Sequence, residues 1–320
     1  MPFPPRWLRQ GSLAIPRVEV RFERRGFTSR DPRAQARLEQ VCDAVLDGYH
    51  AALDADDEVE LAASLARLDP ELRGFACEGA AMALTLLDRL VPRPPWRPGR
   101  WDAFLAGTGA DHPYMAHVGA GLALARLRRK LRLPRKGFDP LLGWLVADGY
   151  GFHEGFFRAG EVARDRARSR RVEGYARQAF DQGIGRSLWF SCGADVDRIA
   201  RAIGAMSPER ASDLWSGVGL ACAYAGGVER SGIESLRALA DRFAPDLAQG
   251  AAFAAQARAR AGNPTASTDL ACQVLCGCSA SAAAAETVRA QEGLPEDGLV
   301  PAFEVWRRRI RMRFGGSEAA

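Results

Sequence analysis

From Gln35 onwards apolar residues return at helical spacing: Leu38, Val41, Cys42, Val45 and Leu46 mark one face, with polar and charged residues around them. Upstream the period is two. Val18, Val20 and Phe22 alternate with charged positions, which allows one short strand in an N-terminal arm of residues 1–34. Residues 73–87 (Arg-Gly-Phe-Ala-Cys-Glu-Gly-Ala-Ala-Met-Ala-Leu-Thr-Leu-Leu) read as a buried helix rich in small residues. A second such helix begins near His117, where Gly119, Gly121, Ala123 and Ala125 alternate with larger side chains. Between them Pro92, Pro94, Pro95 and Pro98 demand a non-helical connection over 91–99.

The pattern then becomes periodic. Gly149-Tyr-Gly, Gly183-Ile-Gly and Gly217-Val-Gly are spaced by 34 residues in both steps, and Gly250-Ala-Ala follows 33 residues later. A unit of this length holds two short helices and their turns. In each, a small-residue helix is expected to open after Asp148, Gln182, Ser216 or Gln249, and a turn to follow at Gly160, Gly193 or Gly226-Gly227. The second helix is more amphipathic, as with Val196, Ile199, Ala200 and Ile203. Ser231-Gly-Ile-Glu234 has capping-box form, and Ser207-Pro208 places a cap before a proline at a first helical position. Residues 301–310 suit a closing helix with one apolar and one cationic side.

The predicted fold is therefore all-α: an irregular array of helical hairpins over residues 35–320 as a single repeat domain, preceded by the short arm. The period resembles that of tetratricopeptide repeats, but Asp197 and Arg201 stand where small or aromatic residues are expected, so the array is divergent. Glycine inside a helix costs about 1 kcal/mol relative to alanine. Its recurrence at one phase argues for close helix packing, the alternative being room for a ligand along an inner surface.

Composition narrows the class. A chain of 320 residues, 47% hydrophobic, can bury a large core. It has no uncharged apolar run long enough for a membrane span and no signal-like N-terminal segment. Seven scattered cysteines fit reduced thiols in a cytoplasm. The net charge of +5 comes almost wholly from arginine, Lys130 and Lys136 being the only lysines. Basic residues cluster at 126–136, 164–171 and 307–313, as solvated helix faces or as a docking surface for an acidic partner protein. Without interleaved aromatic residues, these clusters do not point to nucleic acid.

The sharpest polar group is Tyr150, His153 and Glu154, which share a helical face with Phe157. His153 beside Glu154 is a candidate general acid/base pair with Tyr150 as a third member; the alternative is a structural histidine satisfied within the stack. Because residue 157 is Phe, this is not the zinc-binding His-Glu-x-x-His motif. A metal site would need His117, His153, Glu78 and Glu154 to be brought together by folding, which nothing in their spacing requires, and no cofactor is implied. Cys272, Cys276 and Cys278 fit neither a cluster nor a zinc-ribbon spacing and read as small buried hydrophobes. No nucleophile elbow is present, and the glycine segments lack the βαβ setting of a dinucleotide fingerprint. Aromatic residues recur at the repeats. Some face an inner groove or, alternatively, all form inter-helix core; a groove would suit a long, flat, apolar ligand, with Glu78, Tyr114, His117, Arg186, Trp189, Trp215 and Tyr224 as its candidate contacts.

The segments 73–83, 114–121, 139–144, 148–155, 180–190, 213–227 and 249–255 together resemble a bacterial family of unknown function encoded beside the iterative polyketide synthase in many enediyne antibiotic gene clusters. The resemblance spans roughly Arg21 to Phe314. It implies an accessory role in maturing a linear conjugated polyene or acyl intermediate, with an acyl carrier domain or the synthase as partner. The competing expectation is a non-catalytic helical scaffold that joins pathway proteins.

Overall fold

The computed structural model describes residues 6–91, 96–133, 137–162, 171–296, 298 and 300–315. The helices in chain order are α1 (Arg6–Leu13), α2 (Phe22–Arg25), α3 (Pro32–Asp54), α4 (Glu58–Ala66), α5 (Pro70–Leu90), α6 (Arg100–Ala106), α7 (Pro113–Arg126), α8 (Leu145–Phe157), α9 (Ala159–Val162), α10 (Ala176–Ser191), α11 (Val196–Gly204), α12 (Ala211–Ala225), α13 (Arg230–Ala240), α14 (Ala244–Arg260), α15 (Ala266–Leu275), α16 (Ala280–Arg289) and α17 (Ala302–Phe314). The fold is all-α. Among the described residues the only extended pairing is an isolated bridge between Leu131 and Val172. No helix among them is long and apolar enough to cross a membrane.

The helices fall into two kinds, as the two sequence patterns require. α5, α7, α8, α10, α12 and α14 are buried almost all round, whereas α11 and α13 bury only Ile199 and Ile203, or Ile233, Leu236 and Ala240. A helix apolar or small on every side belongs inside, and one with a single stripe belongs on the surface. The inner helices pack consecutively, α3 on α5, α5 on α7, then α8, α10, α12 and α14, while α16 and α17 close the far side of α14. The turns at Gly193 (φ 64°) and Gly226-Gly227 (φ 71° and 102°) lie where expected, in the left-handed region that glycine tolerates.

Reciprocal glycines set the spacing. A Cβ on Gly183 of α10 would collide with the Asp148 carbonyl of α8, and one on Gly151 of α8 with the Phe180 carbonyl of α10. The same exchange joins α10 to α12 through Gly185 and Gly217, and α12 to α14 through Gly219 and Gly250. Gly121 with Gly149, and Gly48 with Gly79, repeat it earlier in the chain. The recurrence therefore serves backbone-to-backbone packing, not room for a ligand.

Several local expectations are corrected. Residues 17–20 form a 3-10 turn and Phe22–Arg25 a helix, so the alternating stretch is no strand. With Val20 buried on a turn packed against α3, and Phe22 buried edge-on to Phe27, the period-two pattern reflects a turn laid on a helix. Asp148, Gln182, Ser216 and Gln249 are not caps but lie inside α8, α10, α12 and α14. Side-chain caps are made instead by Asp31, Asp57, Asp69, Asp195, Thr265 and Ser279. Ser231 lies inside α13, which starts at Arg230, so no capping box forms there. Ser207 does precede a helical turn with Pro208 at its first position. Gly160 falls inside α9, the chain turning at Arg158 instead. Pro92, Pro94 and Pro95 lie outside the described residues, but α5 does end at Leu90.

The array coils back on itself. Phe75 of α5 packs edge-on against Tyr224 of α12 at 4.8 Å, and Arg37 of α3 donates to the Ala225 carbonyl at 2.9 Å. Arg258 of α14 donates to the carbonyls of Glu71 (2.6 Å) and Tyr224 (2.8 Å).

Candidate functional site

Where the coil meets its own beginning, the small-residue packing gives way to larger side chains around a small cavity of about 70 Å³. Each surrounding helix contributes one stripe at helical spacing: Val41, Val45 and Tyr49 from α3; Phe75, Glu78 and Met82 from α5; Phe152, His153, Phe156 and Phe157 from α8; Arg186 and Phe190 from α10; Leu220 and Tyr224 from α12. Ile15 and Val20 close the remaining side, so the N-terminal segment forms part of the wall. Phe27 extends this cover, meeting Phe156 edge-on at 5.2 Å.

Within these apolar walls three polar atoms make no hydrogen bond: Glu78 Oε2, His153 Nδ1 and the Tyr224 hydroxyl. Arg186 Nη2 stands 3.7 Å from Glu78 Oε2, and Glu154 Oε1 stands 3.7 Å from His153 Nδ1, both beyond hydrogen-bond reach. Burial pushes the Glu78 carboxyl up to about 7, opposed by the Arg186 charge and reinforced by Asp148. Burial likewise pushes Tyr224 up to about 12 and lowers His153 against the pull of Glu154. Burial thus favours the uncharged form of all three groups. Cys42 also lines the cavity, its thiol kept protonated by burial.

Arg186 joins this cavity to a buried polar ladder. It is ion-paired to Asp148, its guanidinium 5.0 Å from the centre of the Phe152 ring. Gln182 donates to Asp148 at 2.8 Å, and the Ser216 hydroxyl lies 3.2 Å from Gln182 Oε1 and 2.8 Å from Gln249 Oε1. Arg307 of α17 donates to Gln249 at 3.1 Å and pairs with Asp213 at 2.8 Å. The ladder residues thus stand at the same phase of successive repeats, one position before the packing glycine. Sequence reasoning read them as caps. The usable signal was a polar side chain recurring inside otherwise apolar helices.

Of the residues singled out from sequence, Glu78, His153, Arg186 and Tyr224 come together at the cavity. The others do not. Tyr150, one turn before Glu154, is buried against Phe180 and contributes nothing to the wall. Glu154 points to Arg158, which it holds at 2.9 Å. His117 is satisfied structurally, its Nδ1 2.7 Å from the Pro113 carbonyl and its ring 5.1 Å from Trp101. Tyr114 packs among Phe253 and Trp306, while the Trp189 indole donates to the Gly226 carbonyl at 2.9 Å. Trp215 is buried core away from the cavity. The reason is common to all: a helix buried on every side directs most of its large residues to neighbours, and only one stripe faces the cavity.

No group of three metal-ligating side chains forms among the described residues. Cys272 is fully buried, and Cys276 and Cys278 are half-buried. The basic run at 307–313 is largely engaged internally: Arg308 and Arg311 pair with Glu304 at 2.8 and 2.7 Å, and Arg309 donates to backbone carbonyls. Residues 163–170 and 134–136, in the other two basic runs, lie outside the described residues.

Fold and site together define an all-α protein whose glycine-paired helices coil around a largely apolar cavity with a few buried titratable groups. The chain belongs to the family described as Protein of unknown function (DUF1702), whose model matches residues 5–314. No curated protein and no solved structure matches it significantly.

Proposed function

We propose that this protein takes a linear conjugated polyene or acyl chain into its central cavity, acting in the cytoplasm as an accessory protein of enediyne or related polyketide biosynthesis. The observation that carries the reading is the cavity itself: aromatic and aliphatic walls interrupted only by a few polar groups, three of which leave an atom without a partner. Pockets that bind small molecules combine apolar walls with a few placed polar groups. Flat aromatic walls such as Phe152, Phe156 and Tyr224 suit a conjugated chain, and the sequence resemblance supplies the pathway. In this reading an acyl carrier domain or synthase presents the chain. The exposed Arg126, Arg128, Arg129 and Lys130 are the basic residues offered to such an acidic partner.

Parinaric acid, a conjugated tetraene, is a direct probe. Titration into the purified protein should shift its absorbance and raise its fluorescence, saturating at one molecule per chain. Leu220→Trp, which fills the cavity, should weaken binding at least tenfold. No saturable signal, or a signal indifferent to Leu220→Trp in a folded variant, would overturn the reading.

A further inference from the structure

The cavity of about 70 Å³ is smaller than the roughly 150 Å³ that admits a benzene ring, so a conjugated chain enters only if part of the wall moves. The helical walls cannot move cheaply. From α3 through α5, α7, α8 and α10 to α12, each meets the next backbone to backbone at a glycine: Gly79, Gly119, Gly149, Gly183 and Gly217. Phe75 on Tyr224 and Arg37 on the Ala225 carbonyl close the ring between α12 and the first helices.

The remaining wall is different. Ile15 and Val20 belong to residues 15–27, a strap laid over α3 and, through Phe27, over Phe156 of α8. Among the described residues the strap's backbone–backbone hydrogen bonds stay within the segment: Glu19 to Pro16, Arg21 to Val18, Arg25 to Arg21, Gly26 to Glu23 and Phe27 to Phe22. Glu19 also pairs with Arg24 and Arg25, so the strap holds its own shape. Side chains fasten it to α3 from outside. Arg17 pairs with Asp43 at 3.2 Å and with Asp47, Arg21 pairs with Asp43 at 2.9 Å, and the Phe22 N–H donates to Glu39 at 3.0 Å. Both flanks are pinned. The Tyr49 hydroxyl donates to the Leu13 carbonyl at 2.7 Å, Arg198 donates to the Thr28 carbonyl at 2.7 Å, and the Ser29 hydroxyl donates to the Gly193 carbonyl at 2.8 Å. Gly26, at φ 68° with nothing within 4 Å of an added Cβ, is a free pivot at one end.

We infer that residues 15–27 are an ion-latched lid: Ile15 and Val20 fill space that a bound chain takes, and the strap lifts between its pinned flanks to admit it. This rests on the binding reading above and adds the route of entry. Lifting breaks surface ion pairs and bares Ile15, Val20, Phe22 and Phe27, but it parts no pair of the packed inner helices. That places it among the local openings that cost less than global unfolding. The latch is adjustable, because Arg17 and Asp47 are 50% and 35% exposed and such pairs hold weakly. A ligand that binds only the lifted form has its affinity reduced by the fraction lifted. Loosening the latch therefore tightens binding, the opposite of what removing a wall contact does.

Asp43→Ala removes the partner that Arg17 and Arg21 share and leaves the cavity wall intact. Parinaric acid should bind this variant faster and about fivefold more tightly than wild type. Arg21→Gln should shift both quantities the same way by less. In the wild type, saturation with parinaric acid should speed amide hydrogen exchange across residues 15–27, read by mass spectrometry, while slowing it in α8 and α10. Binding that leaves exchange in 15–27 unchanged or slowed would overturn the lid and leave the binding reading standing. So would latch variants that bind no faster and no tighter than wild type, their folding verified by unchanged exchange in α14. If neither wild type nor Asp43→Ala gives a saturable signal, the binding reading fails and the lid with it. Binding by Asp43→Ala alone would support both.

Discussion

Glu78 shows how one side chain couples site to stability. Arg186 faces it at 3.7 Å but is already held by Asp148, and His153, Tyr224 and Cys42 share its cavity. A carboxyl raised on folding from near 4.5 to about 7 binds its proton more tightly in the folded chain. Its stabilising contribution is therefore full below about 4.5 and is lost as pH rises from there to about 7, a change of roughly 3 kcal/mol. Asp213, raised by burial to about 6, adds in the same direction. Glu78→Gln removes the first of these contributions. Relative to wild type, the variant's melting temperature should improve between pH 5 and about pH 7 and level off above it, by thermal denaturation followed with circular dichroism. A difference that stays constant across that range would show that Glu78 titrates normally. Sequence alone could nominate Glu78 as a polar residue in a small-residue helix. It could not show that Glu78, and not Glu154, shares a cavity with His153, because that depends on α5 and α8 facing each other after the coil closes.

At the scale of the helix, the 34-residue period was legible because its cause is local and repeated: each inner helix needs a glycine wherever a neighbour's carbonyl approaches. Helix starts were not legible, because Asp148, Gln182, Ser216 and Gln249 are cap-like residues whose partners are other repeats. The period also begins earlier than the sequence suggested, since Gly48 and Gly79 form the same exchange between α3 and α5 at irregular spacing. Gly183→Ala tests the packing argument. Its Cβ would lie 2.7 Å from the Phe152 backbone nitrogen and closer still to the Asp148 carbonyl, neither of which can yield as a side chain would. The helices must separate, at a loss of about 1–3 kcal/mol. Gly204, exposed at the end of α11 with nothing within 4 Å of an added Cβ, is the control. Gly204→Ala should be neutral or stabilise by about 0.5 kcal/mol. Urea denaturation of both variants separates the outcomes, and equal effects would reject carbonyl contact as the reason for the glycines.

The whole molecule differs from an open solenoid in one respect that sequence could not disclose. Units that touch only their neighbours unfold piecewise, because stability is a sum of nearest-neighbour interactions. Here Arg258 of α14 reaches back to the Glu71 carbonyl of α5 and stacks over Tyr224 at 4.2 Å, while Asn263 donates to the Pro70 carbonyl at 3.0 Å. These contacts tie late repeats to the first helices and hold together the cavity walls that α3, α5 and α12 supply. The wild-type chain should therefore unfold in one step, with tryptophan fluorescence and far-ultraviolet circular dichroism reporting the same urea midpoint. Arg258→Ala leaves those carbonyls without their charged donor and should remove roughly 3 kcal/mol. It should also separate the two midpoints, as the α12–α14 end comes free of α5. Since Arg258 lies outside the cavity wall, a parallel loss of parinaric acid affinity would mark closure of the coil as the condition for the site. A variant that melts earlier but still in one step, with binding intact, would instead assign the coupling to the continuous helix stack.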